Sequence, residues 1–221
     1  MRNAVLLMST RGALLAGFLW GCGLAASAAE APAVQPFNFE EASRNVPKPR
    51  ELWPIVRQHC VPLEFKVLTD EVVTSDTDPA KRLRKVTAHF WSQELAGKKW
   101  GHPCTILLPA DNTPNQAPAR KGKVVIIGSP GRDYYPVHVA KYGEPIATRT
   151  GYPTMVLSNP GTYPDGSDIE RDIRILGQLA KETGKNYYNM NCQLAVVYIQ
   201  AMNAFQQFLG LDTLRAVVGG H

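Results

Sequence analysis

An apolar run, Leu214 to Val218, leads directly into Gly219-Gly220-His221. A buried strand that exits into small residues is the approach to a nucleophile elbow, G-x-S-x-G. This is a sharp strand-to-helix turn that lifts a serine hydroxyl above the end of a sheet. Gly220 would be the first glycine of that elbow and His221 the residue before the serine, so the nucleophile is expected in the position after His221. Small neighbours are a physical requirement there, because the nucleophile sits on strained backbone and the adjoining chain must approach closely. The chemistry would be acyl transfer, with attack of the serine oxygen on a carbonyl and hydrolysis of the acyl-enzyme. The acid and the histidine of such a triad come later in chain order. No catalytic side chain is therefore expected within these residues. An ordinary strand exit uses the same residue types.

A tetrahedral intermediate also needs amide donors. Ile127-Gly128-Ser129-Pro130-Gly131 follows another apolar run, Lys123 to Ile127. It is the candidate oxyanion turn. Pro130 has no N–H to give. The donors expected from the sequence are the amides of Gly128 and Ser129, with Gly131 as a further one. A well-placed donor is worth about 3 kcal/mol in such a site. The competing reading is a Gly/Pro turn that only redirects the chain.

Other reactive side chains form weaker patterns. His59-Cys60 and His102-Pro103-Cys104 contain four zinc-ligand types, but their spacing fits no common zinc pattern, and neither metal nor cofactor is expected. Cys60 and Cys104 are a candidate disulfide. Cys192 lies on an apolar helical face and is expected in the core. Asp165 to Glu170 is acidic, with spacing wrong for a calcium loop. It is expected to start a helix with Ser167 or Asp168 as its N-cap. Tyr134-Tyr135 and Tyr187-Tyr188 could line a cleft or pack locally.

The elements that would position these groups follow from periodicity. Residues 51–60 suit a short helix, and Leu63 to Leu68 a strand. Arg84 to Gln93 alternates apolar and polar residues, and Trp100 to Leu108 returns after a turn at Leu95 to Lys98, which predicts a β-hairpin. Residues 110–122 read as a surface loop. Lys123 to Ile127, Pro153 to Leu157 and Leu214 to Val218 read as short strands buried on both faces of a parallel sheet. Helices are expected over 137–150, 168–183 and 189–209. The last carries Met190, Leu194, Val197, Ala201, Phe205 and Phe208 at spacings of three and four. Antiparallel hairpins followed by strand–helix–strand–helix–strand predict an α/β-hydrolase-like mixed sheet with helices on both faces, incomplete at its carboxyl end.

Composition excludes little. The chain has 221 residues, is 44% hydrophobic and 19% charged, and carries a net charge of +5, or +3 without the leader's Arg2 and Arg11, which is too mild to argue for nucleic acid. The basic runs at Lys81 to Lys85 and Arg120 to Lys123 read as solvated loop charges. Arg2 and Arg11 precede an apolar stretch from Gly12 to Ala26 and then Ala26-Ser27-Ala28-Ala29, the pattern of a cleaved signal peptide. The expected organisation is a signal peptide over 1–28, an arm over 29–60, and the amino-terminal part of a hydrolase domain over 61–221. Leu19-Trp20-Gly21-Cys22 offers a second reading, lipoprotein anchoring at Cys22. Export to the periplasm or the exterior is the expectation, and no transmembrane span is expected.

Three segments carry a resemblance. Trp91-Ser92-Gln93, Trp100-Gly101-His102 and Leu107-Leu108-Pro109 are similar to the Ser-Gln…Trp-x-His…Pro hairpin of the PhoPQ-activated pathogenicity-related family. Thr150-Gly151 before a short strand and Asn159-Pro160, and Ala201-Met202-Asn203-Ala204 on the long helix, resemble that family too. The likeness spans roughly residues 60–221. Asn203 stands where the family has Asp, and Gly219-Gly220-His221 departs from its approach to a Ser-Lys-Arg-Gly elbow. The resemblance implies an exported α/β-hydrolase fold. The function expected is hydrolysis of a small ester or peptide substrate. The alternative is a non-catalytic cell-envelope binding module on the same fold.

Overall fold

The structure, a computed structural model, describes residues 49–110, 120–169, 173–185 and 188–220. The leader, most of the arm and His221 lie outside these residues. Six strands form one sheet: β1 (Cys60–Thr74), β2 (Arg82–Leu95), β3 (Lys98–Pro109), β4 (Lys123–Ser129), β5 (Thr154–Ser158) and β6 (Arg215–Gly220). Their spatial order is β1-β2-β3-β5-β4-β6. The first three strands pair antiparallel, as do β3 and β5, while β5, β4 and β6 run parallel. The sheet is thus mixed and becomes parallel, as the α/β-hydrolase-like reading requires.

The β2–β3 hairpin closes through Ala96 and Gly97, both at positive φ (50° and 72°). Two left-handed residues make the turn whose twist matches that of the flanking strands. Alternation then sorts the side chains. Cys104, Ile106 and Leu108 of β3 face one side, with Met155 and Leu157 of β5. Leu107 and Val156 face the other.

The first side is covered by α4 (Ile173–Thr183) and α5 (Met190–Leu209). Phe205 of α5 and Phe90 of β2 are fully buried in that core, each worth about 1.5–3 kcal/mol of apolar burial. Asn189 caps α5, its side chain accepting from the Cys192 amide, and Gly210 ends it at φ 62°. The short helix α1 (Pro49–Arg57) packs on α5 through Val56 against Val196 and Ile199. The other side is covered by α2 (Gly131–His138), a π turn (Val139–Gly143) and α3 (Glu144–Thr150). This segment seats closely on the sheet: a Cβ at Gly143 would lie 2.7 Å from Val156 Cγ2 and 2.8 Å from Leu107 Cδ1.

Several expectations change. The helix expected over 137–150 begins at Gly131 and contains the π turn. Of the helix expected over 168–183, Ile173–Thr183 is α4; Asp168 bridges Thr162, and Ser167 bonds Asp165 Oδ1. The strand at 214–218 was expected to be buried. Its counterpart β6 pairs on one side with β4 and leaves Val217 70% and Val218 45% exposed.

Candidate functional site

Three parallel strands finish side by side. Gly128 is in register with Leu157 of β5 and Gly220 of β6, and Ser129 with Ser158. In open α/β sheets, ligands bind at the carboxyl ends of the strands. That end here carries Gly128-Ser129, Ser158-Asn159-Pro160 and Gly219-Gly220. The oxyanion candidates Gly128 and Ser129 are therefore neighbours of the elbow candidates Gly219 and Gly220, while His221 lies outside the described residues.

Tyr198 joins the three strand ends from below. Its hydroxyl donates to the Gly219 carbonyl at 3.1 Å. The Asn159 side chain and the Gly128 backbone lie beside it, and burial holds its acidity below that of an ordinary phenol. A Cβ at Gly128 would stand 2.1 Å from Tyr198 Oη, and one at Gly220 would stand 2.7 Å from it. Glycine at both strand ends is thus demanded by one hydroxyl. Gly128→Ala is expected to destabilise the protein by about 2 kcal/mol through overpacking. Tyr198→Phe in the same chain should recover much of it, because the clashing oxygen is gone. Denaturant titration of the two single variants and the double variant measures the coupling; strict additivity would contradict the contact.

Three buried polar atoms at these strand ends, Ser129 Oγ, Ser158 Oγ and Asn159 Oδ1, have no hydrogen-bond partner among the described residues. Unpaired buried polar atoms are rare in folded proteins and ask for an explanation. A cavity of about 260 Å³ opens at the ends of β4 and β6, lined by Ile127, Gly128, His138, Tyr142 and Gly220. His138 and Tyr142, on the α2 end and the π turn, meet edge to face with centroids 5.1 Å apart. π turns are frequent at functional sites, and this one puts the Tyr142 ring on the cavity wall beside His138.

The amide donors are distributed differently from the sequence reading. The Ser129 carbonyl accepts from the Asn159 N–H at 2.9 Å. In a strand the N–H and C=O of one residue point to the same side, so the Ser129 amide is turned toward β5. By alternation the Gly128 amide is turned away from β5. The amides beyond them are those of Gly131, Arg132 and Asp133 in the first turn of α2, which has no side-chain cap at Pro130. First-turn amides have no intrahelical acceptor.

The remaining candidates disperse. Cys60 is in register with Gln93 and Cys104 with Ala88, on opposite sides of β2. Two strand spacings and five residues of offset separate them by well over the roughly 7 Å that a disulfide spans. Both are free thiols, and burial pushes Cys104 up to about 12. The same separation divides the four zinc-type ligands; among the described residues no cluster of three metal-ligating side chains forms. Cys192 is half-buried in the first turn of α5, where Asn189 Nδ2 donates to its Sγ at 3.3 Å. Tyr134 is 60% exposed, Tyr135 bonds Thr105, and Tyr188 packs on His59; Tyr187 is outside the described residues. The basic runs have local partners. Lys81 and Arg120 donate to the Thr148 and Thr150 carbonyls at the end of α3, at 2.7 and 3.0 Å, and Arg84 forms a two-pronged pair with Asp70.

No family model and no curated protein matches the chain. Among solved structures it is similar to the rice cell wall degrading esterase LipA from Xanthomonas oryzae, at 12% identity with a TM-score of 0.38, over 75% of this chain and 42% of that one. A single-residue variant of the same esterase aligns at 13% identity, with the same coverage and TM-score. The chain therefore spans less than half the length of the structures it matches. Its strand order, mixed pairing and two helical layers are those of an α/β-hydrolase-like sheet.

Proposed function

We propose that these residues form the amino-terminal part of an exported hydrolase of the PhoPQ-activated pathogenicity-related kind, acting on a small ester or peptide. The observation that carries the reading is the convergence of Gly128, Asn159 and Gly219-Gly220 around the Tyr198 hydroxyl, at the carboxyl ends of three parallel strands. In this reading β6 delivers the elbow and a serine follows His221. The exit from β4 supplies oxyanion donors, chiefly the Gly131 and Arg132 amides. The cavity beside Ile127, His138 and Tyr142 receives the acyl group. The exposed Val217 and Val218 of β6 suit a strand that further chain covers.

The gene product extended beyond His221 should be labelled by a serine-directed fluorophosphonate, and the label should vanish when the residue after His221 is replaced by Ala. A folded, unlabelled product would favour the non-catalytic binding module instead. Among the described residues no helix is long and apolar enough to cross a membrane. Export rests on the leader pattern, and amino-terminal sequencing should find the mature chain starting near Ala29; a start at a lipid-modified Cys22 would replace that expectation.

A further inference from the structure

Ser92 and His102 form a hydroxyl–imidazole pair far from any surface. Ser92 Oγ lies 2.8 Å from His102 Nε2, and His102 Nδ1 lies 3.0 Å from the Ser158 carbonyl oxygen. Both residues are 0% exposed, and the imidazole stacks on Phe90 at 4.9 Å. No substrate reaches such a pair, so its work is not nucleophilic attack.

The donor arithmetic fixes the tautomer. A carbonyl oxygen only accepts, so Nδ1 must carry the proton. A neutral ring then leaves Nε2 as acceptor, and the Ser92 hydroxyl donates to it. The bond ends on Ser158, the last residue of β5, immediately before Asn159 and the cis Asn159–Pro160 bond. The chain beyond is held to the same part of β3. Gly101 and Thr162 exchange two backbone bonds of 2.8 Å. A Cβ at Gly161 would fall 2.5 Å from His102 Nδ1. The loop after β5 is therefore built against one imidazole edge, and that loop presents Asn159 to Tyr198 and, through its amide, to the Ser129 carbonyl.

We propose that His102, oriented by Ser92, is a positioning residue that sets the Ser158–Asn159 turn at the strand-end site. Its link to catalysis rests on the hydrolase reading; its effect on the turn does not.

Nitrogen-15 spectra of the 221-residue chain should show His102 with Nδ1 protonated and Nε2 bare. An Nε2–H tautomer would overturn the proposal. His102→Asn keeps a donor near the Nδ1 position, and His102→Gln keeps a group near Nε2. The Asn159 amide should exchange at least 10-fold faster in His102→Gln than in His102→Asn, with Met155 in mid-strand exchanging equally in both. Equal Asn159 rates would mean the ring only fills space and would sink the idea. Should neither variant fold, Ser92→Ala leaves the ring in place; it should raise Asn159 exchange several-fold, and an unchanged rate would count against the proposal. In the extended protein His102→Gln should lower kcat relative to His102→Asn with KM little changed. Absent fluorophosphonate labelling would remove the hydrolase reading while leaving the tautomer and exchange results to judge the positioning role.

Discussion

Taking the protein from pH 6.5 to about pH 4 should cost on the order of 3 kcal/mol of folding stability through His102 alone. Burial of the ring, outweighing its bond to the Ser158 carbonyl, holds its pKa at about 3 against an ordinary 6.5, and nearby His89 lowers it further. Between those values the unfolded chain binds a proton that the folded chain refuses, so stability rises with pH across the window. The contribution is complete above 6.5 and drains away as pH falls toward 3. Protonation at Nε2 would also remove the acceptor that Ser92 uses. His59 and His89 are depressed by burial too and act in the same direction. Comparison with His102→Asn isolates the term, because both proteins keep the other histidines and all carboxylates. The stability advantage of wild type over His102→Asn, from denaturant titrations, should shrink steadily from pH 7 to pH 4. A constant difference would mean that the ring is solvated or already protonated in the folded state.

The parts of the fold read from sequence are those set by local pattern. Val86, Ala88 and Phe90 alternate with polar neighbours, and the hairpin follows. Val156 and its neighbours form an apolar run too short for a helix, and β5 is buried at every position. What was missed was decided by distant residues. Asp168 has no local sign that Thr162, six residues away, pairs with it. The helix expected from 137 starts earlier, because a positive φ of 70° at Gly131 turns the chain straight into α2, with Pro136 inside it. Cys60 and Cys104 are a plausible pair only until strand register puts β2 between them.

The site was half legible for the same reason. Glycines at 128, 219 and 220 announce a close approach, but not what approaches. Tyr198 sits in an apolar helical stripe and gives no local sign that its hydroxyl reaches three strand ends. A polar tip on that stripe, matched with unexplained glycines at strand ends, is the signal that could have found it. Ser92 was visible only as part of a hairpin resemblance, and His102 only as part of it and as one of four zinc-ligand types. Their joint action on β5 needs the β2–β3 register, which brings residues ten apart together in the core.

On the hydrolase reading, removing one amide from the first turn of α2 should cost a nucleophile-bearing form of the protein about 100-fold or more in kcat, if that turn holds the oxyanion. The residue to change is Arg132. Ser129→Pro is a poor test, because the Ser129 amide is turned toward β5 and its loss would damage the ladder as well. Gly131→Pro fails for another reason: φ is +70° there, and proline is held near −65°. Arg132 is the next residue of the helix, where an amide has no intrahelical acceptor and proline is tolerated. Its side chain donates to the Gly166 carbonyl at 3.3 Å, so Arg132→Ala supplies the control for that bond. The informative quantity is Arg132→Pro against Arg132→Ala: kcat falls steeply and KM moves little, because the lost donor serves a charge that exists only in the transition state. Equal kcat in the two folded variants would show that α2 contributes no oxyanion donor at this position. The Gly128 amide would then be the remaining candidate, with the Tyr198 hydroxyl beside it.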